Sequence, residues 1–353
     1  MKIIIPLIGS FGKSGGYRVL SQLANFWIKK GNEVTFLSHN NGEDPYFPTD
    51  ADILYYDNSG NVTSEKKNIK PKSVLEFFIL NKALKKALDK LEADIVLANH
   101  SFTADPVKKS IIKAKKFYYV QAYEPEYFYH KNLKNFILKR ASEKSYKLGL
   151  NIIVNASMYM DYKGIKTHRV VFPGLDLNVF KPLSKDKNDS KIILGTIGRI
   201  EAYKGTSYII DAFKELRKVY GEKIELHVAF GEKHLEDIDG ITVVTLQGDI
   251  ELADYYNSLH VYISAGTVQL DAIHYPVIEA MACKTPVITT GYYPSNKSNS
   301  WIVPIKDAYA IFKEVENLLG DPDRIKKVET GYMNIKEFDW EYIAKKMLKY
   351  FKE

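Results

Sequence analysis

Apolar and polar positions alternate between two rhythms along the chain. Residues 2–8 form a short, nearly continuous apolar run closed by a glycine-rich stretch, the pattern of a strand buried on both faces. Residues 17–30 (YRVLSQLANFWIKK) carry apolar side chains at helical spacing and stop at Gly31. Residues 33–38 return to the short apolar run. This strand–helix–strand opening predicts an α/β fold with a parallel sheet. The same alternation predicts strands at 94–98, 116–121, 151–155 and 169–172, with helices at 73–91, 105–114 and 131–148.

Residues 181–191 (KPLSKDKNDSK) interrupt both rhythms with the composition of a linker. A second series follows, with strands at 192–197, 224–229, 241–245, 260–263 and 286–289. Its helices are expected at 206–219, 251–258, 276–283 and 306–319, and two more end the chain near 322–331 and 337–350. The simplest assembly is α/β, two Rossmann-like doubly wound domains facing each other across a cleft, over 1–180 and 181–336. In such sheets ligands sit beyond the carboxyl ends of the strands.

Composition narrows the classes. The 353 residues are 45% hydrophobic and 26% charged, which excludes a disordered chain or a fibrous rod. A single cysteine, Cys283, excludes an intrachain disulfide framework and a cysteine-rich zinc site, and a reducing, cytoplasmic setting is expected. No run of 18 apolar residues occurs, so no membrane-spanning helix is expected. The first apolar run is too short for a secretion signal and reads as a strand. Charge is uneven: residues 1–180 hold 27 basic and 17 acidic side chains, and residues 106–170 hold 14 against 4. A basic surface there attracts phosphates or anionic lipid, or leaves a solvated lysine face. Nucleic acid is not expected as a partner, since no recognised nucleic-acid motif accompanies the charge. In the basic helix at 131–148, Leu133, Phe136, Ile137 and Leu148 alternate with cations, a pattern suited to an anionic membrane surface and equally to packing on a core.

Three motifs carry candidate chemistry. The segment Gly9 to Gly16 follows a strand and opens a helix, so its amides and the helix dipole suit an anion at Gly15 and Gly16. Its Gly12-Lys13-Ser14 lacks Walker spacing. Gly198-Arg199 followed by Lys204-Gly205 lies just past strand 192–197, where two cations can hold a diphosphate without a metal. In Asp271 to Cys283 two carboxylates, Asp271 and Glu279, stand eight positions apart, Asp271 in a loop and Glu279 in the first turn of an apolar helix. Both can accept hydrogen bonds from sugar hydroxyls. His100, after strand 94–98, is placed with ligands by the carboxyl-end rule. Asp-x-Asp strings at 50–52, 237–239 and 321–323 follow no credible buried strand and read as surface or turn residues.

Taken in order, Gly15-Gly16, Val171 to Phe180 (VFPGLDLNVF), Gly195 to Arg199 with Lys204-Gly205, and Glu279 to Ile288 resemble family 4 of the retaining glycosyltransferases, which have the GT-B fold. The resemblance runs through nearly the whole chain. It implies transfer of a hexose or deoxyhexose from a nucleoside diphosphate sugar to a glycan or lipid-linked acceptor, with retention and without a metal cofactor. By this likeness Asp271, in place of the family's first Glu, lies near the donor sugar, and Glu279 binds the ribose. Ala272-Ile273-His274 replaces the family's Gly-Phe-Gly, so His274 becomes a donor-sugar contact. Gln121 stands near where many members have a histidine, and Tyr123-Glu124-Pro125 is similar to rhamnosyltransferases of surface polysaccharide synthesis. Arg199, Lys204 and the Gly15–Gly16 amides are expected to stabilise the leaving diphosphate. The closing helix is expected to return to the first domain, adding about 337–353 to it. A GT-B phosphorylase, a nucleotide-sugar epimerase and a non-catalytic binding protein are the competing classes.

Overall fold

The computed structural model describes residues 1–9, 11–12, 14–40, 43–66, 76–128, 132–183, 190–198, 201–268 and 270–353. The chain folds as two compact units, Met1–Gly174 with Trp340–Glu353, and Leu175–Asp339.

The first unit opens with β1 (Lys2–Pro6), α1 (Gly15–Lys29), β2 (Glu33–His39), β3 (Asp52–Tyr56) and β4 (Val62–Thr63). It continues through α2 (Glu76–Leu88), β5 (Ile95–Ala98), α3 (Ser101–Lys109), β6 (Lys115–Val120), α4 (Leu133–Ser145) and β7 (Asn151–Val154). Among the described residues its sheet has the order β4-β3-β2-β1-β5-β6-β7, parallel except for β4. The order reverses between β1 and β5, which makes that pair the switch point. Side chains alternate across the sheet as the pleat requires. On β6, Tyr118 stacks on Tyr146 beyond α4, whereas Phe117 packs against Phe351.

The second unit contains β8 (Ile192–Ile197), α5 (Thr206–Tyr220), β9 (Ile224–Ala229), β10 (Ile241–Val244), α6 (Gly248–Ser258) and β11 (Val261–Ser264). It ends with α7 (Tyr275–Ala282), β12 (Val287–Thr289), β13 (Trp301–Ile302), α8 (Ala308–Gly320) and α9 (Arg324–Ile335). Its sheet is parallel, in the order β10-β9-β8-β11-β12-β13 among the described residues, with the switch point between β8 and β11. The last helix, α10 (Trp340–Lys352), belongs to the first unit. Trp27 of α1 is fully buried there, its indole N–H donating to the Ala344 carbonyl at 3.2 Å and its ring meeting Phe351 edge-on. Burying such a side chain is worth roughly 2–3 kcal/mol.

Four expectations shift. The strand expected at 169–172 is only an isolated bridge between Val154 and Val170. Residues 175–180, expected with the first domain, lie in the second unit: the Leu175 N–H donates to the Phe338 carbonyl at 2.7 Å, and Phe180 is buried against Tyr256. The helix expected at 105–114 begins at Ser101 instead, because His100 caps it. Pro106 inside that helix has no N–H for the Phe102 carbonyl, and the Asn81 side chain supplies a donor at 3.0 Å. Strands β3, β4 and β13 were not expected at all. Most of the expected linker, residues 184–189, lies outside the described residues.

Candidate active site

In the second unit the loops after β8 and β11 leave neighbouring strands on the carboxyl edge. Arg199 lies outside the described residues. After Gly198 the chain forms a short 3-10 turn, Ala202–Lys204, and enters α5. Lys204 is partly buried, with its ammonium 5.3 Å from the centre of the Tyr203 ring. Gly205 has φ +76, and a Cβ there would lie 1.9 Å from the Ala265 carbonyl oxygen, so only glycine fits. The Tyr203 carbonyl accepts from the Thr267 N–H at 2.9 Å and from its hydroxyl at 3.3 Å. These contacts hold Lys204 in register with the loop that carries Asp271.

Asp271 is exposed in a turn before α7. His274 is the residue just before that helix, stacked on Tyr292 with ring centres 4.3 Å apart, and its Nδ1 is 3.5 Å from the Ser264 hydroxyl. The stacking fixes the ring of His274 and gives it a structural role whether or not sugar binds. Tyr292 in turn lies so close to Gly266 that a Cβ there would be 1.8 Å from its hydroxyl. Glu279 is only 4% exposed, and its Oε2 accepts a hydrogen bond from the Tyr256 hydroxyl at 2.9 Å. Burial, then the Glu279 charge, raises the Tyr256 hydroxyl pKa far above its ordinary value, so it stays a donor. The expectation of Glu279 in the first turn is corrected. The helix starts at Tyr275, which puts Glu279 in the second turn, where its carboxylate accepts from the Tyr256 hydroxyl.

In the first unit, Gly15, Gly16, His100 and Gln121 line one cavity of about 560 Å³ at the β1/β5 switch point. Gly15 and Gly16 are the first residues of α1, whose N-cap Ser14 makes no side-chain capping hydrogen bond. The Gln121 amide lies against Gly16, where a Cβ would be 3.3 Å from its Nε2, and its Oε1 is buried without a hydrogen-bond partner. An orphaned acceptor of this kind calls for a donor from elsewhere. His100 Nδ1 accepts from the Phe102 N–H at 3.2 Å, a bond that assigns the proton of the neutral ring to Nε2.

Two residues of this cavity region carry roles that sequence reasoning did not assign. Glu124, 3% exposed, has its Oε2 3.5 Å from His100 Nδ1. That oxygen accepts from the Ser101 N–H at 2.7 Å, while the Tyr118 hydroxyl lies 3.4 Å from the other. The Tyr-Glu-Pro string following a strand was its only signal. Tyr56, on unexpected strand β3, donates to the Leu7 carbonyl at 3.0 Å and accepts from the Gly9 N–H at 3.3 Å, which fixes the start of the glycine loop. Among the described residues no three His, Cys, Asp or Glu side chains are grouped to hold a metal ion. Of the Asp-x-Asp strings, Asp239 pairs with Arg217, and Asp321 accepts from the Asp323 N–H.

The chain is similar to several known proteins. Residues 191–321 match the family model described as Glycosyl transferases group 1. A probable sucrose-phosphate synthase from Thermosipho melanesiensis is 29% identical over 196 residues, 51% of this chain. The aligned part is 46% of that relative's length. Two solved structures share the fold over the whole chain. A sucrose-phosphate synthase from Thermosynechococcus elongatus has a TM-score of 0.72 at 16% identity, covering 100% of this chain and 98% of its own. The Anabaena HepE protein, solved with UDP and glucose, has a TM-score of 0.70 at 14% identity, with 100% of both chains covered. The fold is that of two Rossmann-like sheets, of the GT-B class shared by these solved structures. The matched residues 191–321 all lie in the second unit.

Proposed function

We propose that the protein is a retaining glycosyltransferase that moves a hexose or deoxyhexose from a nucleoside diphosphate sugar to a glycan or lipid-linked glycan acceptor, in surface polysaccharide synthesis on the cytoplasmic side of a membrane. One observation carries this reading: the loop bearing Lys204 is tied through Tyr203 and Thr267 to the loop bearing Asp271, at the switch point of the second unit. HepE binds UDP and glucose in its own structure, and the donor class is carried over from it as part of the proposal.

In this reading Lys204, with Arg199 two positions beyond β8, stabilises the diphosphate as the bond from the anomeric carbon to the phosphate oxygen breaks. The acceptor hydroxyl attacks the same face, its oxygen bonds to that carbon, and its proton passes to the leaving phosphate. Asp271 and His274 orient the donor sugar, and Glu279 holds the ribose. The cavity of Gly15, Gly16, His100 and Gln121 binds the other substrate groups, with the orphaned Gln121 Oε1 accepting from a hydroxyl. Basic helix α4 is the part of the first unit suited to an anionic membrane, where a lipid-linked acceptor resides.

The test incubates the protein with a panel of nucleoside diphosphate sugars, with and without glycan and lipid-linked acceptors. Acceptor-dependent release of nucleoside diphosphate, with the anomeric configuration kept in the product by NMR, is expected. An isomerised donor, or a sugar phosphate formed on adding phosphate, overturns the reading in favour of an epimerase or phosphorylase.

A further inference from the structure

Helix α3 packs between α2 and α4 on one face of the first sheet, and the three helices enclose a cavity of about 420 Å³. The residues already assigned to the candidate site are not in its wall, apart from the neighbouring α3 terminus. Each helix contributes lysine: Lys82 and Lys85 from α2, Lys109 from α3 and Lys144 from α4. Among the described residues Asp105 is the one carboxylate in the wall, and Lys109 engages it at 2.8 Å. Lys85 is paired with Asp89. Lys82 and Lys144 make no ion pair with any described residue, so among those residues two cations of the concave surface stay unpaired. Ser101, also in the wall, is 3% exposed, and its hydroxyl is buried without a hydrogen-bond partner. A donor left unsatisfied beside cations suits a phosphate oxygen.

Helix α4 supplies the second observation. A helix on a protein surface normally turns its apolar stripe inward. Here Leu133, Phe136 and Ile137 are 76%, 56% and 48% exposed, while the buried side chains of α4 are Ser142 and Ser145. The spacing puts the three apolar residues on one face, with the Arg140 guanidinium 5.3 Å from the Phe136 ring centre. Seven residues on from Ile137, and therefore on nearly the same face, is Lys144 in the cavity wall. The exposed apolar stripe thus runs into the lysine-lined cavity, the order of groups found at the boundary of a bilayer.

We propose that this cavity binds the phosphate of an anionic phospholipid headgroup while the α4 stripe enters the apolar edge of the bilayer. The proposal names the surface behind the lipid-linked acceptor reading and rests on that reading for its purpose, but its test needs no sugar transfer. The full chain is sedimented with vesicles of phosphatidylcholine, pure or mixed with phosphatidylglycerol, and titrated separately with glycerol phosphate and with inorganic phosphate. Binding to the mixed vesicles alone is expected. Lys82→Gln with Lys144→Gln should weaken vesicle binding about 30-fold and remove glycerol phosphate binding. Leu133→Ser with Phe136→Ser should lose vesicles and keep glycerol phosphate.

Equal binding to both vesicle types, or mixed-vesicle binding that survives the lysine changes, overturns the proposal. Binding of soluble phosphates without vesicle binding makes the site one for a free phosphate and overturns the lipid assignment. Sugar transfer to a soluble acceptor, assayed in parallel, is expected to be unchanged in both variants. Absent transfer in the parent protein with intact vesicle binding counts against the enzyme reading and leaves this one standing.

Discussion

Lys204 owes its position to the residue after it. Gly205 has a positive φ and nearly touches the Ala265 carbonyl, so the turn that presents the ammonium closes only around glycine. Gly205→Ala is expected to cost about 2–3 kcal/mol, read as a lower denaturation midpoint, and to reduce activity with it. Lys204→Ala separates chemistry from folding. Turnover is expected to fall about 10²–10³-fold, the usual loss of one donor to a developing oxyanion, with an unchanged melting temperature. Equal turnover would remove Lys204 from the site. Glu279→Gln should weaken nucleotide binding about tenfold in calorimetry while keeping a partner for the Tyr256 hydroxyl. Unchanged affinity would refute the ribose assignment. At this scale the sequence was informative where chemistry is carried by adjacent residues, as in Lys204-Gly205. It was silent where residues distant in the chain make the point. Nothing local marks Gln121 Oε1 as orphaned, or Glu124 as lying beside His100.

At the scale of elements, the buried parallel strands were legible because each is a short apolar run between glycine or polar signals, and β8 and β9 fall on their expected residues. Strand β3 was missed because no helix separates it from β2, which breaks the alternation, and β4 and β13 have only two residues each. The start of α3 was missed because its cap is a histidine, outside the usual capping set. Helix α4 was legible as basic and amphipathic, but only the structure tells which face is wet. The closing helix allows a pH test. Lys30 first, then Lys345, hold the Glu341 carboxyl down to about 2. A carboxyl with a folded pKa below its unfolded value stabilises above the unfolded value, and that stabilisation is lost as pH falls toward about 2. The melting-temperature gap between the parent and Glu341→Gln should therefore be present near neutral pH and close in acid. Because the pair is half exposed, added salt should narrow the gap as well. A gap that widens on acidification would contradict the ion-pair account.

At the scale of the molecule, each unit is a doubly wound sheet, and in the first Gly15, Gly16, His100 and Gln121 line one cavity at the point where the strand order reverses. The division was readable from the charged stretch at 181–191, yet the chain changes units at 174–175, where Leu175 is already bonded to Phe338. That pairing joins residues far apart in sequence, and composition carries no trace of it. The excess of basic residues in the first 180 positions is likewise a property of one unit, concentrated on the helices around the lysine-lined cavity.

The central claim is that the second unit grips a diphosphate through Arg199 and Lys204. Calorimetry with nucleoside monophosphates and diphosphates, on the parent and on the Arg199→Ala, Lys204→Ala double variant, tests it most directly. The account predicts that the parent binds the diphosphate at least about tenfold more tightly than the monophosphate, and that this preference disappears in the folded variant. A variant that keeps the full preference would contradict it.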